Sequence, residues 1–305
     1  MYGELAQSVM TSSLPSPFFQ QVTIVGVGLL GGSLGLVLKE QGLAKTVVGI
    51  GRNPGNLKLA VEMGAIDAFS SDPREVVAES DCVMLATPVD TYVSHIKHWG
   101  ACLRPNTIVS DVGSVKGALV LEMESQLPSS VHFVGAHPIA GKEKSGVAYA
   151  ESKLFRGARC IVTPTSRTDS GALNTICDLW EAAGSVVISM DPHDHDWVLG
   201  AVSHLPHVAA FSLIHTLKDL EESRTVDSLD LLSFSGGGLR DTTRIAASSP
   251  EMWRDICLAN RGNLLQMIDR YIGYLQKFQE ILEQEDAPKL YQLLEESKVI
   301  RERLQ

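Results

Sequence analysis

Three stretches carry side chains suited to chemistry: SDVGSVKG (110–117), VGAHPIAGKEKSG (134–146) and SHLPH (203–207). His137 closes an apolar run, and an imidazole there can accept a proton near neutral pH. Ser114 can hold that ring by a hydrogen bond; a satisfied histidine at a strand end reads equally well. His204 and His207 lie three apart on one face of a helix that Pro206 is expected to kink. No third ligand of matching spacing is near, so no metal site is expected. His193-Asp194-His195-Asp196 raises the metal idea again and fails it. Side chains two apart on a helix diverge, and the acids suit a first turn facing the helix dipole. In Arg240-Asp241-Thr242-Thr243-Arg244, beside the glycine-rich loop SFSGGG, two guanidinium groups either clamp a carboxylate or sit in a solvated charged loop. Trp253 is by default a core residue.

Gly26-Val27-Gly28-Leu29-Leu30-Gly31 follows the strand-like QVTIV and precedes the helical LGLVLKEQG. The first glycine permits a tight turn, the second lets backbone approach a pyrophosphate, and the third packs helix on strand. The helix N-terminus then faces the phosphate charge. A dinucleotide is the expected cofactor, with Thr87 and Pro88 also placed at its site. The motif requires an acid about 20 residues further on to bind the ribose of NAD. That count lands on Gly51, followed by Arg52 and Asn53. Glycine removes the charge that would repel a 2′-phosphate, arginine offers a forked cation and asparagine a neutral donor, so NADP is the expected cofactor.

These residues need a scaffold. QVTIVGV, TVVGI, DCVMLAT, NTIVSDV, HFVGAHP, RCIVTP and SVVISM read as strands, several apolar throughout, with helical patterns between most of them. Residues 21–190 are therefore expected to form an α/β domain with a mainly parallel sheet, open at the strands' carboxyl ends for the cofactor. After Met190 strand signals stop; Asp191-Pro192 looks like a helix cap, and residues 191–305 are expected to be all-helical. Residues 1–20 read as a flexible tail.

The chain has 305 residues, which suits two domains, and a formal net charge of -10, which speaks against a nucleic-acid partner. Five dispersed cysteines suit a reducing compartment, and no run approaches the ~18 apolar residues of a membrane span. A cytoplasmic protein is expected.

The ordered set GVGLLGGSLG, DVGSVKG, HPIAGKEKSG, SHLPH and RDTTRIA followed by SPEMW resembles the prephenate/arogenate dehydrogenase family of tyrosine biosynthesis, from about residue 21 to at least 265. The resemblance implies a Rossmann-type domain, a helical dimerisation domain and oxidative decarboxylation of a cyclohexadienol. It implies that His137 accepts the ring-hydroxyl proton and that Ser114 links this histidine to the nicotinamide. His207 and His204 would lie in the substrate pocket, Arg244 would bind a substrate carboxylate and Glu143 would stand at the pocket mouth. Asp196 and Trp253 would approach the site across the dimer. Asp241 or Glu143 can face the ammonium that distinguishes arogenate from prephenate, and NADP use within the family often accompanies arogenate, so arogenate is favoured. Gly51-Arg52 departs from the NAD-using relatives. Two rivals are weighed. A β-hydroxyacid dehydrogenase would need a helix-borne lysine, and Lys218 is the only one in the first long helix; a non-catalytic NADP-binding regulator would give no turnover. From the length of the chain, no appended amino-acid-sensing domain is expected.

Overall fold

The computed structural model describes residues 18–142, 144–223 and 230–304. One sheet holds β1 (Phe19–Val25), β2 (Ala44–Ile50), β3 (Ala68–Ser70), β4 (Cys82–Leu85), β5 (Ile108–Asp111) and β6 (His132–Val134). All its pairs are parallel, in the order β3-β2-β1-β4-β5-β6. Val22, Ile24 and Met84 pack into one core with Leu34, Leu38 and Trp180. Their chain neighbours Val25, Val83 and Leu85 pack into a second core with Tyr92, Ile96 and Trp99. Successive strand residues face opposite ways, so strands that are apolar throughout require cover on both faces.

The parallel sheet ends at β6. Gly135 then redirects the chain into a second sheet of β7 (Ala136–Pro138), β8 (Arg159–Val162) and β9 (Val186–Ser189), with β7 antiparallel to β8 and β8 parallel to β9. A side chain at Gly135 would come within 2.5 Å of Thr163 Oγ1, and Thr163 N–H donates to the Gly135 carbonyl at 2.9 Å. HFVGAHP is thus two strands in two sheets, and His137 lies in the middle of β7 rather than at a strand end. The short β3 was not legible, because three residues leave almost no pattern. Residues 1–17 of the expected tail lie outside the described residues. Phe19, also assigned to that tail, is buried and hydrogen-bonds through its N–H to Leu43.

The chain divides into two units, one reaching His195 and taking in Ser248–Asp255, the other made of Asp196–Ala247 and Ile256–Gln305. The expected boundary after 190 comes earlier and did not foresee the return of Ser248–Asp255. Asp191 caps the first helix after β9, its Oδ1 accepting from His193 N–H at 2.7 Å. Helical structure continues from Pro192 to Glu222, interrupted by a wide turn over Gly200–His204. Leu205 N–H reaches the Gly200 carbonyl there, five residues back. Pro206 has no N–H and crowds the preceding turn, and the wide turn accommodates it without the sharp break expected. This stretch is long and apolar enough to cross a bilayer by length and composition, with 22% of its apolar window buried. No continuous run announces it, because His204, Pro206 and His207 punctuate the apolar residues.

The glycine-rich segment is also more regular than expected. Gly237–Thr243 form a helix and Arg244–Ala247 a 3-10 turn. Gly236 is extended and starts the helix, and Thr243 Oγ1 donates back to the Leu239 carbonyl at 2.6 Å.

Candidate active site

The three glycines after β1 do different jobs. Gly26 has φ +98°, and a Cβ there would meet the Ala86 carbonyl oxygen at 2.6 Å. A Cβ at Gly31 would lie 2.2 Å from the Gly26 carbonyl oxygen, so helix and turn touch backbone to backbone. Gly28 has open space beside it. Leu29 and Leu30 begin the helix Leu29–Glu40, and Gly28 provides no side-chain cap. The first N–H groups of that helix are thus available to an anion, and the open side at Gly28 permits its close approach. Thr87 follows β4 and bonds Thr91 through its hydroxyl at 2.8 Å, with Pro88 exposed beside it. Gly51, Arg52 and Asn53 are exposed after β2. A Cβ at Gly51 would meet Leu57 at 3.3 Å, and Asn53 caps the helix Pro54–Glu62, its Oδ1 accepting from Gly55 N–H at 2.9 Å.

Asp111 ends β5 and organises the loop that follows. Its Oδ2 accepts from Gly113 N–H at 2.9 Å and from Lys116 Nζ at 2.7 Å; its Oδ1 accepts from Ala136 N–H at 3.0 Å. Lys116 Nζ also donates to the Gly113 carbonyl at 2.6 Å. Both charged groups are fully buried. One carboxylate thereby ties the loop bearing half-buried Ser114 to the strand bearing His137. The sequence does not announce the buried ion pair inside SDVGSVKG, because pairing five residues apart has no periodicity to betray it.

His137 is buried, and its Nδ1 lies 2.8 Å from Nε2 of His195. The rings are tilted by 60° with centroids 5.1 Å apart. Ser114 is the holder of the His137 ring that the sequence points to; the contact the fold supplies at Nδ1 is His195. The signal was present in HDHD, but only the fold brings positions 58 apart together. Burial pushes the thiol of Cys160, on β8 beside β7, well above its ordinary value.

In the helical unit, His204 is buried. Asn260 Nδ2 donates to His204 Nδ1 at 3.0 Å and to the Asp196 carbonyl at 2.7 Å, while Asn260 Oδ1 accepts from Asn263 at 2.9 Å. This geometry makes His204 part of a polar network inside the unit. His207 Nδ1 donates to the Ser203 carbonyl at 2.9 Å, which leaves Nε2 as the acceptor of the neutral ring. Burial holds His207 below the ordinary imidazole range, against the opposing pull of that carbonyl. Arg244 and Asp241 are exposed. Asp196 and Trp253, expected to reach across a dimer, are each buried within a single chain. Glu143 lies outside the described residues. Among the described residues no cluster of three metal-ligating side chains occurs.

A parallel sheet in this order, with a tight glycine turn between its first strand and first helix, defines a dinucleotide-binding α/β protein carrying a helical second unit. The family model described as prephenate dehydrogenase, nucleotide-binding domain, matches residues 34–189, and that described as prephenate dehydrogenase, dimerization domain, matches residues 191–296. The prephenate dehydrogenase of Bacillus subtilis is 36% identical over 286 residues, covering 93% of this chain and 76% of its own. The crystal structure of prephenate dehydrogenase from Aquifex aeolicus with hydroxyphenyl propionate and NAD+ superposes with a TM-score of 0.87 at 40% identity, covering 94% of this chain and 98% of that one. That of Synechocystis arogenate dehydrogenase gives 0.77 at 27% identity over 93% and 99%. The chain belongs to the prephenate dehydrogenase family. It is an oxidoreductase of tyrosine biosynthesis, and oxidative decarboxylation of a prephenate-type substrate with a nicotinamide dinucleotide is its chemistry.

Proposed function

We propose that this chain oxidatively decarboxylates arogenate to tyrosine with NADP as hydride acceptor, acting as a cytoplasmic homodimer. The observation that carries the reading is the end of β2. Gly51 stands in the place of the ribose-binding acid, and exposed Arg52 follows it. Asn53 commits its oxygen to the helix cap, so its amide N–H groups remain as donors beside the arginine. Asp241 supports the substrate choice. It is exposed, makes no ion pair among the described residues, and sits one helical turn before Arg244. An ammonium that leaves water needs such an anion. All five cysteines are free thiols, which supports a reducing compartment. Leu265, Ile272, Tyr274 and Leu275 are exposed on the helix Arg261–Glu283, and a two-fold partner would cover them. Leu264, next to Leu265 in the chain, is buried.

A bound nicotinamide supplies the hydride acceptor. As the ring carbon loses its hydride, His137 Nε2 takes the hydroxyl proton, and the oxygen becomes a carbonyl without passing through a bare alkoxide. Arg244 pairs with a substrate carboxylate. Departure of the ring carboxylate as CO2 returns its electron pair to the ring, which becomes aromatic. The His137 imidazolium then gives its proton back to the phenolate oxygen, so no proton is consumed overall.

Steady-state kcat/KM for the four pairings of arogenate or prephenate with NADP or NAD tests the proposal, and arogenate with NADP should be highest. Prephenate turned over as efficiently would sink the substrate choice. NAD preference, or an Arg52→Ala enzyme with unchanged NADP affinity, would sink the cofactor choice. A second reading, prephenate with NAD, is favoured by the names of the B. subtilis and A. aeolicus proteins and by the NAD+ bound to the latter.

A further inference from the structure

We infer that His195 is a positioning residue that sets the proton on His137, holding it on Nδ1 so that Nε2 is the basic nitrogen. The inference deepens the reading of His137 as the base and rests on it. The two rings meet at 2.8 Å between His137 Nδ1 and His195 Nε2, and both are buried. A contact of that length between two imidazole nitrogens contains one proton, and only one of the two nitrogens carries it. If His195 carried it, neutral His137 would have its own proton on Nε2 and could take none from a substrate there. If His137 carries it, Nε2 keeps its lone pair, and His195 Nε2 is the acceptor with its own proton on Nδ1. Because Nδ1 is engaged, substrate-proton uptake falls to Nε2, and only the second arrangement permits it.

The same contact then acts during the reaction. When Nε2 accepts the hydroxyl proton the His137 ring becomes cationic, and its Nδ1–H bond to His195 becomes charge-assisted and stronger. The interaction thus gains strength as charge develops, which is the condition for accelerating the step rather than merely tightening binding. The fold supplies the geometry from two directions. β7 is fixed by its pairing with β8 and by the bond from Ala136 N–H to Asp111. His195 is fixed in the first turns of the helix capped by Asp191, to whose carbonyl its own N–H donates at 2.9 Å. Ring orientation therefore does not depend on bound substrate.

The test combines His195→Leu, which removes the acceptor, with His195→Gln, whose Oε1 restores one. With whichever substrate and cofactor the wild type uses, His195→Leu should lower kcat roughly 10- to 100-fold, part of the ~10²–10⁴-fold a general base contributes. KM should stay within about twofold, and His195→Gln should recover most of the loss. Imidazole 15N spectra of the substrate-free chain give an independent reading. Wild type should show His137 protonated on Nδ1, and His195→Leu should move the proton largely to Nε2. A wild-type His137 protonated on Nε2, or a folded His195→Leu enzyme with wild-type kcat, overturns the inference. If His195→Leu does not fold, the wild-type spectrum and the His195→Gln kinetics decide it. If the wild type turns over neither substrate, the functional reading fails while the spectra still decide the pair.

Discussion

Replacing Lys116 with methionine should unfold the nucleotide-binding unit more readily than any surface change. Methionine nearly matches the length of lysine but brings no charge and no donor. The fully buried Asp111 carboxylate would then keep only uncharged partners, the N–H groups of Gly113 and Ala136 and the Tyr92 hydroxyl, and the Gly113 carbonyl would lose its 2.6 Å partner. Removing one partner of a buried ion pair costs about 3–5 kcal/mol, because the other charge stays desolvated and uncompensated. For a unit of this size each kcal/mol moves Tm by about 2–4 °C, so the midpoint should fall by roughly 6–20 °C. The combined Asp111→Asn/Lys116→Met variant removes both charges and should recover much of the loss. Thermal unfolding at pH 7.5, with and without cofactor, measures all of this. A Lys116→Met chain within about 1 kcal/mol of wild type at neutral pH would refute the reasoning, since it would mean the carboxylate needs no countercharge.

Gly31→Ala should be destabilising by about 1–3 kcal/mol and weaken cofactor binding, because its Cβ would lie 2.2 Å from the Gly26 carbonyl oxygen; denaturant melts and cofactor titration check both. His95 and His207 are both held below the ordinary imidazole range, His95 by burial and then by His98 and Arg52, His207 by burial. The unfolded chain therefore binds more protons as pH falls, so their contribution is present above about pH 6.5 and lost below it, and His95→Phe or His207→Phe should flatten the pH dependence of urea midpoints. Light scattering should give a dimer, and Ile272→Lys or Leu275→Lys on the exposed face of their helix should shift it toward monomer.

Much of the fold was legible because its signals are local. A glycine turn between strand and helix, apolar runs spaced by helical segments, and the end of strand signals at Met190 need only neighbouring residues to be read. The glycine spacing led to a dinucleotide and the ordered motifs to the family. What the sequence hid depends on residues far apart in the chain. Gly135 splits an apparent single strand between two sheets because a side chain there would collide with Thr163. Asp111 and Lys116 look like ordinary loop charges until burial makes each the other's requirement. The neighbour of His137 proved to be a histidine dismissed on helical spacing, since spacing along one helix says nothing about what another strand presents to it. Local pattern determined which elements form and which motif binds phosphate. Tertiary packing alone decided that His137 and His195 meet, because that contact closes across 58 residues of chain.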